Sequence, residues 1–141
     1  MRFLCLGDSL TAGDPGYNPS NDGISHGYGS YNSQYEFWLK QKVIELIEGK
    51  DGSISNEIVE DLIFINKGVC GEITMNFLGR INIDLLGVKP KPDYSIIIGG
   101  TNDLGWGISN NEIVRNIKQL HAISRKNGIK SIGGTIPPIR T

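Results

Sequence analysis

The sequence predicts an α/β fold in which a parallel β-sheet is covered by helices on both faces, three layers in all. Three observations predict it. Four short runs rich in Ile, Val, Phe and Leu are continuous rather than alternating, the pattern of strands buried on both faces. Segments with helical spacing lie between them, and strands alternating with helices form βαβ units whose right-handed crossovers keep the strands parallel. Glycine-rich polar turns follow the first three runs.

The first run, residues 3–6, leads into Gly7-Asp8-Ser9-Leu10-Thr11. Residues 13–34 then form a long segment rich in Gly, Asn, Ser and Tyr, read either as a functional or mobile loop or as solvated filler. Phe37, Val43, Ile44 and Ile47 fall near one face of a first helix that stops around Gly49. The second run, residues 62–65, leads into Asn66-Lys67-Gly68-Val69-Cys70-Gly71-Glu72. Ile73, Phe77, Ile81 and Leu85 step by four along a second helix that ends before Gly87 and Pro90. The third run, residues 94–98, enters Gly99-Gly100-Thr101-Asn102-Asp103. Ser109 and Glu112 form a capping box for a third helix, Ile113, Ile117 and Leu120 make its apolar stripe, and Asn127-Gly128 closes it. The last run is residues 131–136.

A chain of 141 residues fits a single domain. Its hydrophobic content of 38%, charged content of 21% and net charge of -1 are those of an ordinary soluble globular protein. Without a run of Lys or Arg it carries no electrostatic footprint for nucleic acid or an anionic membrane, and its apolar runs are too short to span a bilayer. Met1 leads directly into the first strand with no basic region or cleavage site, and two cysteines make no disulfide framework. A reduced, cytoplasmic protein is the expectation.

In a parallel α/β sheet, ligands bind at the carboxyl ends of the strands, where the three turns sit. Ser9 brings a hydroxyl and a backbone N–H, Gly71 a second N–H at the mouth of a helix, and Asn102 a side-chain amide. One hydroxyl and three converging donors are the parts of a nucleophile and its oxyanion hole. Each residue also has a plainer reading. Ser9 is a favoured helix N-cap. Gly71 and Asn102 both suit tight turns. Asp8 reads as structural, its carboxylate bonding backbone N–H groups of the turn. Cys70 reads as a small buried neighbour rather than a reactive thiol, since no histidine or lysine cluster adjoins it. Trp106 reads equally as a pocket wall or as an aromatic packing over the core.

Gly-Asp-Ser-Leu at residues 7–10, just after a first strand, resembles the signature of the GDSL, or SGNH, esterase and lipase family. The second turn is similar to that family's glycine block, with Gly71 at the oxyanion position. Gly100-Thr101-Asn102-Asp103 resembles its Gly-x-Asn-Asp block, and Pro137-Pro138 is also common there. The resemblance covers essentially the whole chain. It implies the SGNH hydrolase fold with a flavodoxin-like sheet, Ser9 as nucleophile, and Ser9, Gly71 and Asn102 as the oxyanion donors. It also implies hydrolysis of esters or thioesters through an acyl-serine, without metal or cofactor.

The family's Asp-x-x-His, which supplies the base, occurs nowhere in residues 1–141. The expectation is therefore a C-terminally incomplete domain, with four strands present and a fifth, carrying that motif, beyond Thr141. His121 lies about 16 Å along the third helix, away from the carboxyl edge, and reads as a packed or flanking histidine. His26, in the long loop, reads as a loop or substrate contact more than as a surrogate base. A missing strand implies an open sheet edge, completed by a further segment or by a second copy. A non-catalytic binding module is the competing reading. A phosphotransferase using Asp8 is excluded because Leu10 stands where a second carboxylate is needed, and no Gly-x-Gly-x-x-Gly supports dinucleotide binding.

Overall fold

The computed structural model describes residues 1–14, 31–48 and 61–136. The expected Gly49 helix stop, His26, Pro137-Pro138 and most of the long loop lie outside them. In chain order the elements are β1 (Arg2–Gly7), α1 (Ser9–Ala12), a 3-10 turn (Tyr31–Ser33), α2 (Tyr35–Glu48) and β2 (Ile63–Gly68). There follow α3 (Thr74–Ile81), continued by a π turn (Asn82–Leu86), β3 (Tyr94–Ile98), α4 (Thr101–Gly105), α5 (Asn110–Lys126) and β4 (Lys130–Gly133).

The four strands form one sheet in the order β2-β1-β3-β4, and every pairing is parallel. The predicted α/β fold is the one observed. β1 and β3 are the inner strands, and in β1 Leu4, Cys5 and Leu6 are fully buried. Register aligns Leu6 with Ile97 and Leu4 with Ser95 on one face. There Leu4, Leu6 and Ile97 pack with Phe77, Ile81 and Leu85 of the α3 segment and with Leu120 and Ile129 of the α5 segment. The steps of four from Ile73 to Leu85 turn one side of α3 into this core. On the other face Phe3 stacks between Phe64 and Tyr94, at 4.7 and 4.8 Å between ring centres. α2 lies on that face, with Tyr35 and Glu36 against Cys5.

Of the capping box read at Ser109 and Glu112, the Ser109 half is present, and the reciprocal bond from the Glu112 side chain is absent among the described residues. Ser109 Oγ accepts the Glu112 N–H at 3.3 Å at the start of α5, and Arg125 and Lys126 sit in its last turn. The strand limits need correction. β2 runs on through Asn66, Lys67 and Gly68, which read as turn, because register with Cys5, Leu6 and Gly7 extends the ladder. β4 stops at Gly133 and is not buried on both faces. It is an edge strand pairing with β3, and Ile132 is 43% exposed. A continuous apolar run signals burial in a central strand, and an edge position leaves the same residues uncovered. No helix among the described residues is long and apolar enough to cross a membrane.

Candidate active site

The sheet brings the three turns together at its carboxyl edge. Gly7 is level with Gly68 on one side and with Ile98 on the other. Ser9, Gly71 and Asn102 therefore follow the ends of three adjacent strands, with Ser9 on the central one.

Ser9 is the first residue of α1, and it is not the cap. Asp8 caps the helix, its Oδ1 accepting the Leu10 N–H at 3.0 Å. The structural role read for Asp8 is observed, and the Ser9 hydroxyl is released from capping. As the first helical N–H, that of Ser9 has no partner within the helix, and it makes no hydrogen bond among the described residues. Asp8 is fully buried, and burial pushes its carboxyl above the usual carboxylate range, with Asp103 and Glu72 adding repulsion. Gly13 closes α1 in the left-handed region at φ 88, its N–H returning to Ser9 O.

Gly71 is exposed in the left-handed region at φ 79, which any side chain would strain. It lies three residues before α3, and its N–H likewise has no acceptor among the described residues. Asn102 sits in the first turn of α4. Its Nδ2 donates to the carbonyl of Glu72 at 2.8 Å. That bond ties the third turn to the second and leaves the other amide N–H available to a ligand.

Further bonds hold the turns in register. The Val69 N–H donates to the carbonyl of Gly7 at 3.0 Å. Asn66 accepts the Gly68 N–H at 2.8 Å and donates to the carbonyl of Thr11 at 2.6 Å. Asp103 is fully buried and accepts both the N–H and the hydroxyl of Thr74, at 2.9 and 2.5 Å. Asn116 of α5 in turn donates to the Thr74 hydroxyl at 3.0 Å. The sequence profile of the GDSL-like Lipase/Acylhydrolase family matches residues 5–141. The chain belongs to this family.

Solved structures of other GDSL and SGNH proteins share its fold. AlinE4, an SGNH-hydrolase family esterase, is 26% identical with a TM-score of 0.64, the match covering 97% of this chain and 60% of AlinE4. A variant of Axe2, an acetyl xylan esterase from Geobacillus stearothermophilus, is 20% identical with a TM-score of 0.58, covering 93% of this chain and 57% of that one. A GDSL-like lipase from Bacteroides thetaiotaomicron is 17% identical with a TM-score of 0.53, covering 94% and 47%. The chain thus spans between about half and three fifths of the length of these neighbours. No curated protein matches it.

Within this GDSL domain, His121 is not part of the constellation. Its Nδ1 lies 2.6 Å from Ser131 Oγ, on β4. Ser131 is level with Ser95 and so with Leu4, which places the contact roughly 10 Å below the end of β1. Burial, with Arg125 nearby, holds the His121 pKa below the ordinary histidine range. His26 lies outside the described residues. Cys70 corrects the sequence reading: it is exposed rather than buried, because it sits on the turn past the end of β2. Trp106 does not pack over the core. It caps the C-terminus of α4 and is 79% exposed.

Two residues of the site carried no signal as individual positions in the sequence. Asp103, second in the Asn-Asp pair, anchors α3 rather than facing a ligand. Arg80, on α3, donates from Nε to Glu72 at 2.7 Å, from Nη1 to Asp84 at 2.7 Å, and from Nη2 to the carbonyl of Gly7 at 3.0 Å. Lys67 adds a contact to Asp84 at 3.3 Å. Partial burial alone raises the Asp84 pKa, but the hydrogen bonds from Arg80 and Lys67 outweigh it and hold the carboxyl below its ordinary value. Of this cluster, only the Arg80 and Asp84 spacing of four is visible in sequence.

Proposed function

We propose that the protein is a serine ester hydrolase acting through an acyl-Ser9 intermediate. The observation that carries the reading is the wiring of three turns around Ser9. The turn bearing its N–H is bonded to that bearing Gly71, and the latter to the turn bearing Asn102. In this reading Ser9 Oγ attacks the acyl carbonyl. The carbonyl oxygen, as its charge develops, takes hydrogen bonds from the N–H groups of Ser9 and Gly71 and from the free amide N–H of Asn102. A histidine removes the serine proton and later protonates the leaving alcohol. His121 is bonded to Ser131 well below the turns and does not fill that role. A second copy of the chain pairing along β4, the sheet edge among the described residues, is the corresponding partner.

The substrates are small carboxylic, acyl or acetyl esters, with thioesters within the same chemistry, and no cofactor takes part. This rests on family membership and on the esterase AlinE4 among the neighbours. The test uses the protein as its gene encodes it, assayed on p-nitrophenyl esters of graded acyl length beside Ser9→Ala. Loss of turnover in Ser9→Ala is expected, on the order of 10⁴-fold or more. Equal turnover in both removes Ser9 from the mechanism. Ester binding without turnover in either favours a binding module.

A further inference from the structure

Arg80 joins parts of the site that its own helix does not carry. It is the seventh residue of α3, and its side chain passes over the ring of Phe77, with Cζ 5.5 Å from the ring centre. The side chain is only 15% exposed, and its three nitrogens go to three different acceptors. One acceptor is the last carbonyl of β1, on the peptide that leads into Asp8 and Ser9. Another is Glu72, which follows Gly71 and whose own carbonyl receives the Asn102 amide. The third, Asp84, is held from its other oxygen by Lys67 at the end of β2.

The Gly7 carbonyl is the shared node. It accepts the Val69 N–H at 3.0 Å and Arg80 Nη2 at 3.0 Å, so the first turn meets the second turn and the guanidinium at one oxygen. Gly7 cannot shift to compensate. A Cβ there would lie 2.0 Å from the Thr11 hydroxyl and 2.6 Å from the carbonyl of Ile98, so the backbone is already in close contact on both sides. A guanidinium is a rigid planar fork. Three bonds from one plane fix the Gly7 carbonyl relative to Glu72, and hence the Ser9 N–H relative to the Gly71 N–H. A lysine supplies the same charge as a single point and cannot span the three acceptors.

We infer that Arg80 is a positioning residue that sets the spacing of the two backbone donors of the oxyanion hole. The inference rests on the reading of Ser9, Gly71 and Asn102 given above. Arg80 touches no reacting atom, and its effect reaches the transition state through the Gly7 peptide and Glu72. Oxyanion donors act only when they are aimed at the oxygen as it becomes charged. Loss of the fork is therefore expected to lower kcat while leaving KM nearly unchanged.

The test compares wild type, Arg80→Lys, Glu72→Gln and Ser9→Ala in the protein as its gene encodes it. For Arg80→Lys the expected kcat on p-nitrophenyl acetate is about 10 to 100-fold lower with KM within about twofold. Inhibition by phenylboronic acid, whose serine adduct carries a tetrahedral anion, weakens in parallel. Glu72→Gln moves both quantities in the same direction by less. Full rescue of kcat by lysine overturns the inference, as does a fall in kcat with unchanged phenylboronate affinity. Full activity in Ser9→Ala instead defeats the underlying reading. A readout that needs no turnover is the amide NMR spectrum: Arg80→Lys is expected to shift the Ser9 and Gly71 N–H signals together. Unmoved signals overturn the inference.

Discussion

The Asp103 carboxylate holds the N-terminus of α3 from 29 residues away, accepting the Thr74 N–H at 2.9 and 3.1 Å. It also takes the Thr74 hydroxyl, which is in turn held by Asn116. All three side chains are buried. One carboxyl group thus joins the turn bearing Asn102 to the helix that follows Gly71. Replacing it by Asn turns an acceptor-only group into one that presents N–H groups to existing donors. Asp103→Asn is expected to cost about 3 kcal/mol and to lower Tm by about 8 °C, read by calorimetry.

Gly68 tests the seat of α1. A Cβ at this position would fall 2.2 Å from the backbone nitrogen of Ala12, and backbone cannot yield as a side-chain end can. Gly68→Ala must therefore push α1, and Ser9 with it, off β2. The expected result is a loss of about 3 kcal/mol in urea denaturation. Gly71→Ala meets no atom of the described residues within 4 Å, and its cost there comes from φ 79. About 1 kcal/mol is expected there.

Glu36 sets a pH dependence. It is 4% exposed, between α2 and the sheet, and burial pushes its carboxyl from an ordinary 4.5 up to about 7. The buried groups beside it, Cys5 and Tyr35, are themselves pushed up by burial and stay neutral. Between pH 4.5 and 7 the folded chain keeps the Glu36 proton that the unfolded chain has released. Stability is then greatest below that window and falls as pH rises through it, by at most about 1.4 kcal/mol per unit, before levelling above. Urea midpoints at pH 5, 6, 7 and 8 are expected to fall and then flatten. Glu36→Gln removes most of the slope, while Asp8, also raised by burial, leaves a residue of the same sign and His121, held low by burial, one of the opposite sign below pH 6.5. A flat profile in the wild type contradicts the assignment.

The two cysteines are expected to react at well-separated rates. Cys70 is exposed, and slight burial with Asp14 nearby raises its pKa, so it labels with iodoacetamide more slowly than a free thiol. Cys5 is buried on β1, with its thiol held protonated by burial, and labels only on unfolding. Peptide mass spectrometry with and without urea separates the two. Labelling of Cys5 in the native protein contradicts its place in the core.

How much of this was legible in sequence depended on distance along the chain. The three turns were visible because each needs its own local run of glycine and polar residues after an apolar strand. The α5 cap was visible for the same reason, since Ser109 and Glu112 are three residues apart. Arg80 was not, because its decisive acceptor is a backbone carbonyl 73 residues earlier, and a carbonyl has no residue type. Asp103 falls in the Asn-Asp pair after β3, yet its role depends on Thr74 and Asn116 from two other elements. The exposure of β4 is not legible in sequence, because Ile132 has the same hydrophobicity at an edge as at a centre. The exposure of Cys70 is not legible either, because a short polar turn gives no sign of which side faces solvent.

The central claim is that Ser9 is the nucleophile, and covalent trapping tests it most directly. The protein as its gene encodes it is incubated with a fluorophosphonate, digested, and its peptides are weighed. The account predicts one phosphonyl adduct, located on Ser9, with no labelling of Ser9→Ala. An adduct on another residue, or equal labelling of Ser9→Ala, would contradict it.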